Sequence, residues 1–117
     1  MLFRSDQSLR TLVFSKDWSK LTDRVFTNLR KTCCYFKVNE KVQVYIKQID
    51  KRLEKRFIAT VIFKSKQKLR DISTSLITYD TDTKTRQEAF QVLQKFYHLP
   101  LTEDTEFYLL LLKKEDS

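Results

Sequence analysis

Trp18-Ser19-Lys20-Leu21-Thr22-Asp23-Arg24-Val25-Phe26-Thr27-Asn28-Leu29-Arg30-Lys31 opens as a short amphipathic helix and runs on as an extended segment. Trp18, Leu21, Thr22 and Val25 recur at helical spacing behind Ser15, a natural N-cap, which predicts a helix over 16–24. Phe26, Leu29 and the run Cys33 to Phe36 read as extended, and polar and cationic groups converge along the segment. The next run, Lys37-Val38-Asn39-Glu40-Lys41-Val42-Gln43-Val44-Tyr45-Ile46, reads as a turn and then a strand. Val42, Val44 and Ile46 alternate with Gln43, Tyr45 and Lys47, which predicts a strand over 41–49 with one apolar face.

Upstream, Leu9 to Ser15 is a short apolar strand candidate. Downstream, Asp50-Lys51-Arg52-Leu53-Glu54-Lys55 reads as a charged hairpin connection. Phe57 to Lys64, rich in β-branched and aromatic residues, is the strongest strand and is expected to pair antiparallel with 41–49 through 50–56. Leu69, Ile72 and Leu76 are read as a short helix or turn, and Tyr79 to Thr83 as a polar loop in which Asp82 or Thr83 caps the next helix. Ala89, Phe90, Val92, Leu93, Phe96 and Tyr97 recur at three and four, so 84–97 is an amphipathic helix stopped by Pro100. Glu106 to Lys113 contains Leu109 to Leu112 in succession. Four leucines in a row cannot share one face of a strand, so both faces of 106–113 are expected to be covered. The order β-α-β-β-β-α-β predicts an α+β fold: one domain over 1–117, a small mixed β-barrel with helices flanking its mouth.

A chain of 117 residues, 41% hydrophobic and 32% charged, is globular in composition and long enough to bury a core. No apolar run reaches membrane-spanning length and no signal-peptide core opens the chain, so a cytoplasmic protein is expected. Glycine is absent. Turns that need positive φ must then use other residues, and Asn39 and Asp50 are the expected substitutes. Cys33 and Cys34 are adjacent and read as two reduced thiols on a strand. With one histidine, His98, they do not complete a zinc site, and no metal or cofactor is implied. His98 falls near a helix C-terminus, where a surface cation is favoured without any catalytic role.

The net charge of +8 is unevenly placed. Residues 1–70 carry 18 Lys or Arg against 6 Asp or Glu, a net of +12, and residues 71–117 carry 5 against 9, a net of −4. The densest clusters are Lys47, Lys51, Arg52, Lys55, Arg56 and then Lys64, Lys66, Lys68, Arg70. Such asymmetry suits a polyanionic partner whose phosphates these side chains neutralise. The plainer reading is a solvated face, with lysines keeping sheet edges apart.

The order of elements resembles the ASCH domain family, a branch of the PUA-like fold linked to RNA. Its pattern has an apolar strand and helix, a Gly-x-Lys-x-x-Thr-x-Arg-like segment, Val-Gly-Asp before a strand, a strand with Ala-x-Val, a helix ending in aromatics, and a last strand. Phe26-Thr27-Asn28-Leu29-Arg30 stands at the Thr-x-Arg, Val38-Asn39-Glu40 at Val-Gly-Asp, and Ala59-Thr60-Val61 at Ala-x-Val. Gln94-Lys95-Phe96-Tyr97 and Phe107-Tyr108-Leu109-Leu110 stand at the closing helix and strand. Asp23 takes the glycine position, Val25 the lysine and Asn28 the threonine. Members that hydrolyse acetylcytidine use that lysine and threonine with a glutamate, so the resemblance implies RNA binding more than that chemistry.

The leading expectation is a nucleic-acid-binding module, RNA or another single strand being the partner. A cleft made by helix 16–24, Asn28 and Arg30 would hold a base or backbone. Arg24, Lys31, Lys47, Lys51, Arg52, Lys55, Arg56, Lys64, Lys66 and Lys68 would grip flanking phosphates. Arg30, the matched arginine, offers a planar fork for phosphate or for a carbonyl-bearing base, or else a structural ion pair. Trp18, Tyr35, Phe36 and Tyr45 could stack on bases, although Trp18 and Phe36 read first as core. The alternatives are an enzyme acting on RNA or a modified nucleoside, with Asp23 or Glu40 as base, and an accessory protein-interaction module.

Overall fold

The computed structural model describes residues 9–31 and 35–115. Its strands are β1 (Arg10–Phe14), β2 (Val25–Arg30), β3 (Lys41–Lys47), β4 (Leu53–Lys68) and β5 (Glu106–Lys114), and its α-helices are α1 (Thr74–Thr81) and α2 (Arg86–Tyr97). The strands form one five-stranded sheet in the order β1-β3-β4-β5-β2. β1 runs parallel to β3, and the other pairings are antiparallel, so the sheet is mixed.

The 41–49 and 57–64 strands pair as expected, but the link between them is 48–52 rather than 50–56. β4 begins at Leu53, and the turn closes with Gln48 N donating to Arg52 O at 2.8 Å and Lys51 N to Gln48 O at 2.8 Å. β-Sheet pairing overrides the low strand preference of the charged Glu54-Lys55-Arg56 run. β4 carries two bulges. Arg56 is the extra residue opposite Val44 and Tyr45, and Ile62 is the extra residue opposite Leu112 and Leu111. Bulges bend a strand and increase its twist, and the sheet curls until Phe14 on one edge strand meets Phe26 on the other, ring centroids 6.1 Å apart. The sheet remains open, with β1 and β2 as its two edges.

The curl makes two cores. Inside it lie Leu12, Phe14, Phe26, Val42, Val44, Ile46, Val61, Leu110 and Leu112. On the outer face, Leu29, Phe107 and Leu109 pack against Ile77, Ala89 and Leu93 of the two helices. β5 lies between β4 and β2, with Leu109, Leu110 and Leu112 buried and Leu111 half-buried, as four consecutive leucines required.

Two helical expectations change. Over 16–24 the chain makes only a 3₁₀ turn at Ser19–Thr22, because Trp18 is extended and supplies no side-chain cap. The 79–83 segment is not a loop: α1 runs through Thr81, capped by Ser73, whose hydroxyl accepts from Leu76 N at 3.2 Å. Its sequence, Thr-Ser-Leu-Ile-Thr-Tyr-Asp-Thr, has weak helix propensity, and the contacts of Ile77 and Asp80 decide it. Asp82 closes α1 in the left-handed region, and Thr85 with Glu88 forms the capping box of α2. Cys33 and Cys34 lie outside the described residues.

Candidate nucleotide-binding cleft

Antiparallel strands alternate which residues face a neighbour, and Arg24 O accepts from Lys114 N of β5. The Val25 and Leu29 carbonyls therefore point off the free edge of β2. Two phenols meet them there: the Tyr79 hydroxyl of α1 stands 3.2 Å from Val25 O, and Tyr97 of α2 donates to Leu29 O at 2.8 Å. Tyr79 donates its one proton to the nearer Asp23 Oδ2, at 2.6 Å. Both phenol pKa values are pushed up, in each case first by burial and for Tyr79 also by Asp23. Covered in this way, β2 offers no edge to β1, and a cleft of about 70 Å³ lies between them.

Val13 and Phe14 of β1 with the following Ser15 form one side of the cleft, and Asn28, Leu29 and Arg30 of β2 form another. Trp18, Phe96 and Tyr97 supply aromatic walls. The volume has room for about five waters, which also suits the edge of a flat ring. Lys20 and Asp80 line it, with Lys20 Nζ 2.6 Å from Asp80 Oδ1, and Thr27, outside the lining, donates Oγ1–H to the same oxygen at 2.6 Å. Lys20, Thr27 and Asp80 are all buried. Asn28 Oδ1 and Arg30 Nε are also buried, and neither has a hydrogen-bond partner. A buried polar atom without a partner costs about 1–3 kcal/mol, so two of them at one cleft need an explanation.

The structure gathers only part of the expected basic site. Asn28 and Arg30 line the cleft; Arg24 is exposed and Lys31 half-buried, and neither is part of its lining. Lys47, Lys51, Arg52 and Lys55 sit on or near the β3–β4 hairpin, where Arg52 pairs with Asp50 at 2.5 Å. Arg56, re-aimed by its bulge, pairs with Asp17 at 3.0 Å and also with Glu54. Lys64, Lys66 and Lys68 lie toward the far end of β4; from Lys55 to Lys66 is roughly 35 Å along the strand. One basic surface in sequence is therefore two in space. Ser15 borders both the cleft and a groove at the hairpin root lined by Lys16, Ile46 and Ile49.

Asp23 and Glu40, the carboxylates expected to act as a base, do not line the cleft. Asp23 is taken by Tyr79, and Glu40 pairs with Arg10 at 2.8 Å. The carboxylate at the cleft is Asp80, hidden from sequence reading because it lies in a polar stretch read as loop. Lys20 was equally hidden, since a lysine in an amphipathic segment ordinarily faces solvent. Trp18 is half-buried with Lys16 Nζ 4.1 Å from a ring centroid, Phe36 is buried, Tyr45 is half-buried and Tyr35 is exposed. Among the described residues no group of His, Cys, Asp and Glu could hold a metal ion, and no helix is long and apolar enough to cross a membrane. Comparison with protein-family models, curated proteins and solved structures found no match.

Proposed function

We propose that this protein is a small RNA-binding domain that takes one base of a single strand into the cleft between β1 and β2. The observation that carries this reading is the pair of buried, unpartnered atoms, Asn28 Oδ1 and Arg30 Nε, at an aromatic-walled opening. They are two residues apart on one strand and so lie on the same face. One accepts and the other donates, which is the pattern offered by the amide-like edge of a base. Stacking on aromatics and hydrogen bonding to an unstacked base edge are how single-stranded RNA is read. The ASCH-like order of motifs, with Arg30 at the matched arginine, supports the same reading. So does the curl that brings Phe14 to Phe26, which resembles a PUA-like barrel left unclosed. An RNA partner also agrees with the expected cytoplasmic setting.

The test is binding to single-stranded RNA across a salt series, with Arg30→Ala beside the wild type. Binding that weakens steeply with salt is expected, and Arg30→Ala is expected to change preference among bases with little change in salt slope. Absence of binding to any RNA or DNA at low salt would refute the proposal.

A second reading, an enzyme acting on RNA or a modified nucleoside, is favoured by the Lys20–Asp80–Thr27 cluster at the cleft. Buried titratable groups beside an unpartnered donor and an unpartnered acceptor are the ordinary makings of acid–base chemistry. Turnover of a bound nucleoside or RNA, lost in Asp80→Asn that still binds, would establish it.

A further inference from the structure

β1 and β3 run parallel and end together, with Phe14 opposite Ile46. Beyond that point the chain leaves the two strands in opposite directions. β1 is an edge strand, and its continuation passes through Trp18 to β2 at the other edge, whereas β3 turns into β4 on its inner side. In sheets with parallel strands, a crevice opens where neighbouring strands send their connections opposite ways. Here it is a groove of about 320 Å³, lined by Ser15, Lys16 and Asp17 after β1 and by Lys47, Gln48 and Ile49 at and beyond the end of β3. That size lies within the range of roughly 300–1,000 Å³ usual for small-molecule sites. Ser15 also lines the cleft, so groove and cleft adjoin.

The chemistry of the lining is that of a nucleotide site. Asp17, the one carboxylate in it, is taken by Arg56 of β4 at 3.0 Å. Lys16 and Lys47 have no carboxylate partner among the described residues, so the groove keeps two positive charges. Lys16 Nζ lies 4.1 Å from the ring centroid of Trp18, a wall of the cleft, which holds that charge at the border of the two sites. The Gln48 backbone is occupied, its N–H donating to Arg52 O and its carbonyl accepting from Lys51 N. Its side-chain amide keeps two donors and an acceptor for a sugar or base edge. Ile49 is fully exposed, an apolar surface left in water at the groove's lip. A flat base packs against such an aliphatic side chain as it does against an aromatic one.

We propose that this groove takes the nucleotide next to the one whose base enters the cleft, with the phosphate between the two at Lys16 and Lys47 and the second base against Ile49. The proposal rests on the base-binding reading above. Lysine ammonium groups serve a phosphate as point charges and impose no sequence, and an aliphatic face accepts any base. The second site therefore adds affinity without adding preference, while the cleft does the reading. It also gives the bound strand a direction: from the cleft, past Ser15, toward the β3–β4 hairpin, where Lys51 and Lys55 meet only a longer strand.

The test is calorimetric titration of the wild type and of Lys47→Ala/Ile49→Ala with the ribonucleoside 5′- and 3′-monophosphates, with ribodinucleotides of both orders, and with dinucleotides whose second residue is abasic. For the preferred base, a dinucleotide is expected to bind the wild type roughly tenfold tighter than the monophosphate, the size of one base contact. The gain is expected when the second nucleotide lies on one side of the preferred base and not on the other. It is expected to be nearly independent of which base comes second, and to shrink when that residue is abasic. The double variant is expected to lose the gain and keep its monophosphate affinity, since neither side chain lines the cleft. Monophosphate binding with no gain from a second nucleotide overturns the groove site and leaves the base-binding reading standing. So does a gain that survives in the double variant, or one equal in both orders. A gain kept in full by the abasic dinucleotide also overturns it, because that marks a phosphate contact without a base. No binding of any mononucleotide, dinucleotide or longer RNA removes both.

Discussion

Lys51 holds φ at 70°, in the left-handed region that the turn between β3 and β4 requires. Asn39, at 75°, fills such a position as expected, but Asp50 does not. Asp50 instead accepts from Arg52 N at 3.1 Å and Nε at 2.5 Å, and so fixes the turn from one residue earlier. A β-carbon in that region costs roughly 1–2 kcal/mol, so Lys51→Gly is expected to raise stability by about 1 kcal/mol in urea unfolding. Asp50→Gly is expected to lower it. The buried Lys20–Asp80 pair gives the second residue-scale prediction. Lys20→Met leaves the Asp80 carboxylate buried without its cation and is expected to cost about 3–5 kcal/mol. Lys20→Met/Asp80→Leu removes both charges and is expected to cost less than the single change. If the double variant is the less stable of the two by denaturant unfolding, the pair contributes more than the desolvation it demands.

At the scale of elements, β2 is an edge strand protected by hydroxyls from both helices. The pH dependence follows from the sign of the shifts. Tyr79 and Tyr97 have pKa values above the ordinary tyrosine value of about 10, first because both are partly buried. The folded state holds those protons where the unfolded chain would release them. Their stabilisation is therefore complete below about pH 10 and is lost as pH rises through the folded-state values. Tyr79→Phe/Tyr97→Phe is expected to be less stable at neutral pH, because the Asp23 carboxylate and the Leu29 carbonyl lose donors. It is also expected to show a shallower loss above pH 10 in thermal melts than the wild type. Equal alkaline slopes in the two proteins would refute this role for the phenols. The assignment of 79–83 to a loop missed this device, since nothing in Ile-Thr-Tyr-Asp-Thr signals that the tyrosine and aspartate face a sheet edge.

At the scale of the molecule, β4 is long enough to part the basic residues into two groups, one at the hairpin and one toward its far end. The hairpin group would add only sequence-independent phosphate contacts. Lys47→Glu/Lys51→Glu/Lys55→Glu is expected to weaken binding to every RNA and to flatten the salt slope by roughly 2, at about 0.7 per single-strand contact. The three side chains are exposed, so circular dichroism and melting temperature should be nearly unchanged. An unchanged slope would mean that this surface serves solubility and that binding is confined to the cleft end.

Period and composition settled much of this. The alternation of Val42, Val44 and Ile46, the β-branched run from Phe57, and the leucines from 109 to 112 identify strands because side chains on a strand must choose between two faces. The three-and-four spacing from Ala89 to Tyr97 identifies α2 for the corresponding reason. Asn28 and Arg30 were legible as candidates because polar and cationic groups converge along Phe26-Thr27-Asn28-Leu29-Arg30, a segment that resembles a Thr-x-Arg motif. The tertiary structure decided the rest. It made a helix of 74–81, where local propensity is weak and burial of Ile77 and pairing of Asp80 prevail. It left the sheet open, because hydroxyls from two helices occupy the β2 carbonyls that a closing strand would need. It brought Lys20, Thr27 and Asp80 together from three separate elements; a contact across 60 residues leaves no mark on local pattern. It also set Lys66, Tyr108 and Arg30 in one row, because register between strands is fixed by packing of whole faces and not by any single residue.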